Sequence, residues 1–498
     1  MVRRWWALTA LGLAMLVLGF DITILNVALP TLAADLGAST GEQQWIIDAF
    51  LVVFAACMLP AGLLGDRLGR RRMLVAGLAI MLVGSLAGTL ADDPATLIAA
   101  RAVMGLGAAL ITPLAMAVLP TLFDPEERAR AIAALTAALA AGMPLGPLLG
   151  GLLLDHFWWG SIFLINVPLI GVGIAACALL LPESRDPAAP RLDPLSTLLS
   201  VGGLGLLVYG VIEGPARGWT EPVVLGALAG SLPLLAWLFL RDLRRPVPVL
   251  GLRLLTRRDF RSAALVGTVG SLAMAGLLFV VPQYLGAVRG HDAFGTGLRL
   301  MPMMGGLLVA ARACQPLTRL LGPRTIVASG LALLAFAGML GATTDTDSGY
   351  GLAAAWLTVT GLGVGLALIP SMDAALGALP ADRAGSGSGL LMTVRQVGSA
   401  IGVALLGSLL AQGYRDRLDT AGLPAEAADA ARESVVAAHL VAERAGAPGL
   451  AEAADAAFLH GMGLALFATA LVAAVGAVFG GLLLPGRSVA PPEAGERE

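Results

Sequence analysis

The sequence contains no lysine: all 32 basic residues among its 498 are arginines. A phosphate loop of the G-x-x-x-x-G-K-[ST] type is therefore absent, and ATP-driven work by this chain alone is not expected. Charge of any kind is scarce, at 13% against 57% hydrophobic residues. A soluble chain carries about 25% charged residues, so this one cannot cover a water-facing surface. The three cysteines, Cys57, Cys177 and Cys314, all fall in apolar runs. An odd count without C-x-x-C argues against a disulfide framework or a zinc site and leaves them as small buried hydrophobes. The four histidines (His156, His291, His439 and His460) are far apart with no metal-ligand spacing, and there is no H-E-x-x-H. Aromatics make up 5%, net charge is −2, and no basic arm is present, so nucleic acid is not an expected partner.

What is present is apolar length. Mean hydropathy is +0.83, and 64 glycines suit close packing between membrane helices. Crossing the hydrocarbon takes about 20 apolar residues. Fourteen such runs occur, at 6–31, 44–65, 72–91, 95–120, 130–153, 160–181, 194–213, 222–240, 260–286, 295–317, 324–343, 350–374, 385–412 and 458–484. Backbone in lipid must bond internally, so these are helices. The fold class is all-α integral membrane with 14 transmembrane helices. The first run opens "MVRRWW" and continues through Asp21 to about Pro30, too long for the apolar core of a signal peptide, so it is expected to stay as the first span.

Arginine placement orients the spans. With the N-terminus inside, 22 arginines fall in inner loops and tails and 6 in outer loops, 4 of those in the loop 413–457. Arg101, Arg299, Arg312 and Arg395 lie within spans. The asymmetry follows the positive-inside rule, and an even span count puts both termini in the cytoplasm. The expected location is a bacterial plasma (inner) membrane, multi-pass, because the arginine-only, Ala- and Gly-rich usage suits a GC-rich bacterial genome. The extracellular loop 413–457 is Ala-rich with mixed charge and is expected to form short helices. The Pro-rich tail 485–498 is expected to be a disordered cytoplasmic segment.

One inner turn is unusually dense: "AGLLGDRLGRRRML", Ala61–Leu74, between the second and third runs. Positive-inside bias accounts for its arginines but not for Asp66 or the glycine spacing. The stretch resembles the loop signature G-x-L-a-D-R-x-G-R-R-x-x-L of the major facilitator superfamily. It matches at Gly62, Leu64, Asp66, Arg67, Gly69, Arg70, Arg71 and Leu74. "GFDITILNVALP", Gly19–Pro30, is similar to the first-span signature of the 14-span drug:proton antiporter branch. "LIAARAVMGLGAA", Leu97–Ala109, resembles the fourth-span motif around Arg101, departing at Met104 where a Gln is common. "GMPLGPLLGG" resembles the fifth-span antiporter motif through Gly142, Gly146, Pro147, Gly150 and Gly151. The resemblance implies two pseudo-symmetric six-helix bundles with two extra helices, divided as 1–186, 187–245 and 246–484. It also implies a cytoplasmic latch in which Asp66 faces the start of a helix in the other half, where the dipole favours an anion. "TRLLGPRTIV", Thr318–Val327, is the echo of this loop, with Arg319 where Asp66 stands, so the latch is expected to be asymmetric.

Ionisable groups deep in a span are costly and usually functional. Asp21 lies about 13 Å below the outer end of its run and Arg101 about 9 Å below its own, at 1.5 Å per residue. The expected proton-coupling set is Asp21 with Arg101, and Asp48 as a second site. Glu213 and Asp373, near span ends, are expected to be solvated, and Arg312 to reach the headgroups. Arg395, in "GLLMTVRQVGSAIG", stands near mid-membrane. With Gln396, Asn26, Gln283 and Tyr284 it makes the expected substrate set. "GASTG", Gly37–Gly41, matches the hydrolase pattern G-x-S-x-G without a strand before it, so an enzyme is not expected. The reading is a proton-driven exporter of lipophilic small molecules working by alternating access. Its expected partners are substrate, protons and membrane lipid; it needs no cofactor beyond the proton gradient and works as a monomer. Export of a single metabolite or antibiotic, or uptake by symport, is the alternative.

Overall fold

A computed structural model describes residues 2–38, 40–185, 193–245, 251–377, 379, 384–421 and 423–483. Among these residues there are helices and turns and no strand. The chain begins with α1 (Val2–Leu36), α2 (Thr40–Leu68), α3 (Arg70–Thr89), α4 (Pro94–Leu122) and α5 (Pro125–His156). The short α6 (Ser161–Leu164) runs on into α7 (Asn166–Leu180). Next come α8 (Pro194–Arg217) and α9 (Pro222–Arg244), then α10 (Arg258–Gln283), which ends in a π-turn at Tyr284–Val288. The rest are α11 (Ala293–Arg299), α12 (Met301–Leu321), α13 (Pro323–Ala342), α14 (Tyr350–Gly377), α15 (Ala384–Arg417), α16 (Ala425–Glu433), α17 (Val435–Ala445) and α18 (Pro448–Leu483).

Twelve helices among the described residues are long and apolar enough to cross a membrane. Helices α5 and α12, of 32 and 21 residues, are long but fall outside that set. The apolar run 295–317 is broken at Leu300 into α11 and α12. Within 413–457 less chain is loop than expected, because α15 reaches Arg417, α18 begins at Pro448, and α16 and α17 lie between. The expected boundary at 186/187 and the tail 485–498 lie outside the described residues.

Local chemistry sets the helix ends. Gly69 adopts φ 113 and is the entire link between α2 and α3, a conformation that glycine takes without a Cβ penalty. Gly322, with φ 82, makes the corresponding break before α13. Asp93 caps α4 by accepting from the Thr96 amide at 2.9 Å. Asp193 caps α8 through the Ser196 amide and hydroxyl and also pairs with Arg241 and Arg245. The Ser196 bonds, helped by these arginines, hold the Asp193 carboxyl well below the usual carboxylate range.

Packing gathers the helices into two groups. In the first, α1 lies on α5 and α7, α2 on α4, and α3 on α4 and α7. In the second, α10 lies on α14 and α15, α12 and α13 on α14, and α18 on α13 and α15. Helices α8 and α9 pair with each other, and α8 also rests on α2 and α15. The two groups meet along a seam of α2 and α4 against α15, and of α5 against α12 and α14. The candidate site residues lie inside the first group, along this seam, and inside the second.

Candidate functional site

Asp21, midway along α1, is wholly shielded from solvent. Its Oδ2 accepts from Arg101 Nη1 of α4 at 2.7 Å and its Oδ1 from Asn166 Nδ2 of α7 at 3.2 Å. Arg101 is 1% exposed; its Nε donates to the Ile46 carbonyl at 3.1 Å and its guanidinium lies 4.4 Å from the Phe50 ring centroid. One carboxylate thus ties together three helices, with α2 supplying a carbonyl and an aromatic face to the cation. A buried ion pair has to recover its desolvation through such additional bonds. Met104, standing where the related motif often has Gln, places its sulfur 3.9 Å from Arg101 Nη1. Asn166 was not foreseen. The signal available was one amide in an apolar run just before Pro168.

The fifth-helix glycines hold α1 where Asp21 needs it. A Cβ on Gly142 would run into the Leu16 carbonyl and the Phe20 amide, and one on Gly146 into Thr23 and Ile24. A Cβ on Gly150 would press on Ile24 at 2.9 Å, whereas one on Gly151 meets nothing within 4 Å. The side chain of Pro147 lies outside the described residues, as does that of Asn26. Asp48 is buried on α2, two residues past Ile46.

At the far end of α2, Asp66 is 1% exposed and bridges the seam. It accepts from the Gly385 amide at 2.7 Å and the Ser386 amide at 2.6 Å, in the first turn of α15, where helix amides point outward unpaired. Arg70 grips the same carboxylate with Nη2 at 2.8 Å and Nε at 3.2 Å, and donates to Ser184 Oγ at 3.0 Å. Gly62 allows the close approach, since a Cβ there would strike the Gly385 carbonyl. Arg71 donates to the Leu181 carbonyl at 3.3 Å and faces Glu183, and half-buried Arg67 stands beside Asp66 in sequence.

The same end of the seam has further ties. Ser388 Oγ of α15 donates to the Pro113 carbonyl of α4 at 3.0 Å. Arg128 of α5 pairs with Asp373 of α14 at 2.6 Å. Gln315 of α12 donates to the Glu126 carbonyl, and Arg319 faces the Glu126 carboxylate at 3.5 Å. Asp373 is therefore an ion-pair partner across the seam and not a solvated end group. Glu213 is likewise buried, held by Arg217 one turn along α8, because i,i+4 spacing puts the two side chains together. Arg312 is exposed.

In the second group, Arg395 of α15 donates through Nε to Ser271 Oγ of α10 at 2.9 Å, and Nη1 lies 2.7 Å from Met372 Sδ and 3.9 Å from Met392 Sδ. Gln396 beside it is half-buried. Gln283 and Tyr284 are not with them: Gln283 donates back to the Phe279 carbonyl and Tyr284 is buried, at the end of α10 about 18 Å along the helix from Ser271 at 1.5 Å per residue. Among the described residues there is no His, Cys, Asp and Glu cluster able to hold a metal ion.

The chain is 34% identical over 499 residues to the tetracenomycin C resistance and export protein of Streptomyces glaucescens, covering 96% of this chain and 91% of that one. It is 33% identical to the multidrug efflux pump LfrA of Mycolicibacterium smegmatis, covering 96% of each. The solved structure of the human organic anion transporter MFSD10 superposes with a TM-score of 0.60 at 15% identity, over 95% of this chain and 99% of that one, a likeness of fold. Residues 11–403 match the Major Facilitator Superfamily, and the chain belongs to that family of membrane transporters and is not an enzyme.

Proposed function

We propose that this protein exports lipophilic small molecules across a bacterial plasma membrane in exchange for protons, by alternating access. The chain then crosses the membrane 14 times, with α5 and α12 among the spans, both termini in the cytoplasm and the Asp66 latch on the cytoplasmic face. The arginine bias supports this orientation. The names of its relatives, which include a multidrug efflux pump and a puromycin resistance protein of Streptomyces alboniger at 34% identity, support export of drugs.

The observation that carries the coupling is the solvent-free carboxylate of Asp21 paired with Arg101. When the outer side opens and Asp21 takes a proton, its hold on Arg101 weakens and α1, α4 and α7 are freed to shift. When the inner side opens, the carboxylate surrenders the proton and the pair reforms. Opening inward has to break the bonds of Asp66 to α15 and of Arg128 to Asp373, so the latch biases the empty carrier against it. The decisive experiment is drug transport in everted vesicles with an imposed proton gradient, comparing wild type with Asp21→Asn. The variant is expected to lose gradient-driven accumulation while still exchanging labelled drug for unlabelled drug. Undiminished gradient-driven transport would remove Asp21 as the carrier. A narrower reading, export of one compound only, is favoured by the relative named for tetracenomycin C; a panel of unrelated lipophilic drugs separates the two.

A further inference from the structure

Arg395 is a cation in the interior of the second helix group, and no carboxylate among the described residues pairs with it. Asp21 is taken by Arg101 and Asn166, and Asp373 by Arg128. The neighbours of Arg395 are one hydroxyl, Ser271, and two thioether sulfurs, and a thioether is a weak acceptor. A guanidinium carries five N–H donors and stays charged at any physiological pH. The side chain is half-buried, and a cation at this depth with so little protein compensation is expensive unless solvent or a bound anion supplies the rest.

The surroundings say what that something looks like. A narrow apolar cleft lies against the same helix faces, lined by Met274 and Leu278 of α10, Met303 and Met304 of α12, Val364 of α14 and, from across the seam, Ala140 of α5. Ser271 and Met274 are three residues apart on α10, so they share a face about one turn apart. Gly361, which also lines the cleft, and Met372 are eleven residues apart on α14, again on one face. Arg395, bound to Ser271, is therefore about one helical turn along α10 from the edge of an apolar cleft rich in methionine, the side chain that adapts most easily to differing shapes. The slot is shared between the two groups that must move, so an occupant touches both.

We propose that Arg395 is the anion-recognising end of the substrate site, and that this transporter takes amphiphiles with a flat apolar body and one anionic oxygen group. The proposal rests on the export reading and narrows it: a planar guanidinium fork matches a carboxylate or sulfonate by paired hydrogen bonds and repels a lipophilic cation. Ser271 positions the fork through Nε, and an anionic ligand takes Nη1 and Nη2 by displacing the weakly accepting thioethers of Met372 and Met392. The methionines and leucines receive the body without selecting its outline.

The test uses three probes with one aromatic body: 4-(1-pyrenyl)butyrate, 4-(1-pyrenyl)butanol and pyrenylmethyl-trimethylammonium. Binding to the purified full-length protein in nanodiscs is read by fluorescence, with empty nanodiscs as the blank. Wild type is expected to bind the acid at least tenfold more tightly than the alcohol, and the ammonium probe more weakly than either. Arg395→Gln is expected to erase the preference for the acid, bringing its affinity to that of the alcohol within about twofold, while Arg395→Lys keeps part of the preference. Equal affinity of wild type for acid and alcohol overturns the proposal without any variant, as does a preference for the ammonium probe. Loss of acid and alcohol binding together in both Arg395 variants overturns it too, by making Arg395 a packing residue. Efflux of the acid from loaded cells, measured in parallel, separates the two claims: acid-selective binding without efflux keeps the site and sinks the exporter.

Discussion

Arg128 and Asp373 meet at 2.6 Å across the seam between the two helix groups, on the side where Asp66 reaches α15. Their side chains are 14% and 29% exposed, so the pair is neither a surface ornament nor fully buried. Its worth falls between that of an exposed pair, up to about 1 kcal/mol, and the roughly 3–5 kcal/mol lost on breaking a buried one. Arg128→Gln or Asp373→Asn is expected to favour opening at this end by about fivefold to 30-fold, the equivalent of 1–2 kcal/mol. In a background with Cys57, Cys177 and Cys314 replaced, Ser388→Cys reports on it, because Ser388 is buried at the seam. Its labelling by a maleimide should speed up in either variant and no further in the double variant. Additive effects would mean that the two side chains act separately.

Asp66 should matter more. It receives two backbone amides of α15 and two bonds from Arg70, and each bond to a charged group contributes about 1.5–3 kcal/mol. Asp66→Ala strands Arg70 as well as freeing the start of α15. The same Ser388→Cys labelling is expected to rise beyond the level of Arg128→Gln, and drug export to fall because the outward-facing state is no longer favoured. Labelling at the wild-type rate in Asp66→Ala would show that glycine packing between α2 and α15 holds the seam closed without the carboxylate.

The Asp21–Arg101 pair permits a separation of stability from function. Asp21→Asn leaves a buried guanidinium without its anion, which costs about 3–5 kcal/mol. Replacing both, as Asp21→Asn with Arg101→Gln, removes the stranded charge and is expected to recover much of the melting temperature. On the proposed coupling, gradient-driven transport should not return, since Asp21 is its proton carrier. Recovery of gradient-driven export in the double variant would reduce the pair to a structural tie.

How much of this was legible follows from what sequence spacing can carry. Depth along a span is a one-dimensional quantity, and counting 1.5 Å per residue from Pro30 and Ala95 was enough to set Asp21 level with Arg101. Asp66 was legible because its loop is a dense local signature, and the structure does place it at the start of α15. Rotation and tertiary partnership are not one-dimensional. Nothing in the spacing says that Asn166 turns towards Asp21, or that Arg128 and Asp373, 245 residues apart, share a bond. Gln283 and Tyr284 belong to the expected substrate set, yet they sit at the end of α10, away from Arg395. A polar residue in an apolar run marks a cost without naming what meets it.

Asp193 offers a pH-dependent test away from the membrane interior. Its carboxyl titrates well below the ordinary value, chiefly through Ser196. A lowered folded-state value means that the carboxylate stabilises the fold at every pH above the unfolded value, about 3.9, and that this contribution shrinks as pH falls below it. Asp193→Ala is expected to lower stability by about 0.5–2 kcal/mol, the range for a lost N-cap. The gap in melting temperature between wild type and variant should be flat from pH 5 to pH 8 and narrow below pH 4. A gap that widens in acid would contradict the assignment.

The five positions of the fifth-helix motif look alike in sequence, but the structure sorts its glycines. Gly146 lies against Thr23 and Ile24 with backbone of α1 beneath it, so even a methyl group must push the two helices apart. That displacement acts two to three residues from Asp21, whose carboxylate meets Arg101 at 2.7 Å. Gly151 faces open space, and a methyl group there meets nothing within 4 Å. Gly146→Ala is therefore expected to cut drug export by tenfold or more, about 1.4 kcal/mol in a barrier, and to lower thermal stability. Gly151→Ala should leave both as they are, or raise stability slightly through helix propensity. Measured side by side in one vesicle preparation, equal losses at both positions would place the motif's importance in helix flexibility. Loss confined to Gly146 would place it in the α1–α5 contact that carries Asp21.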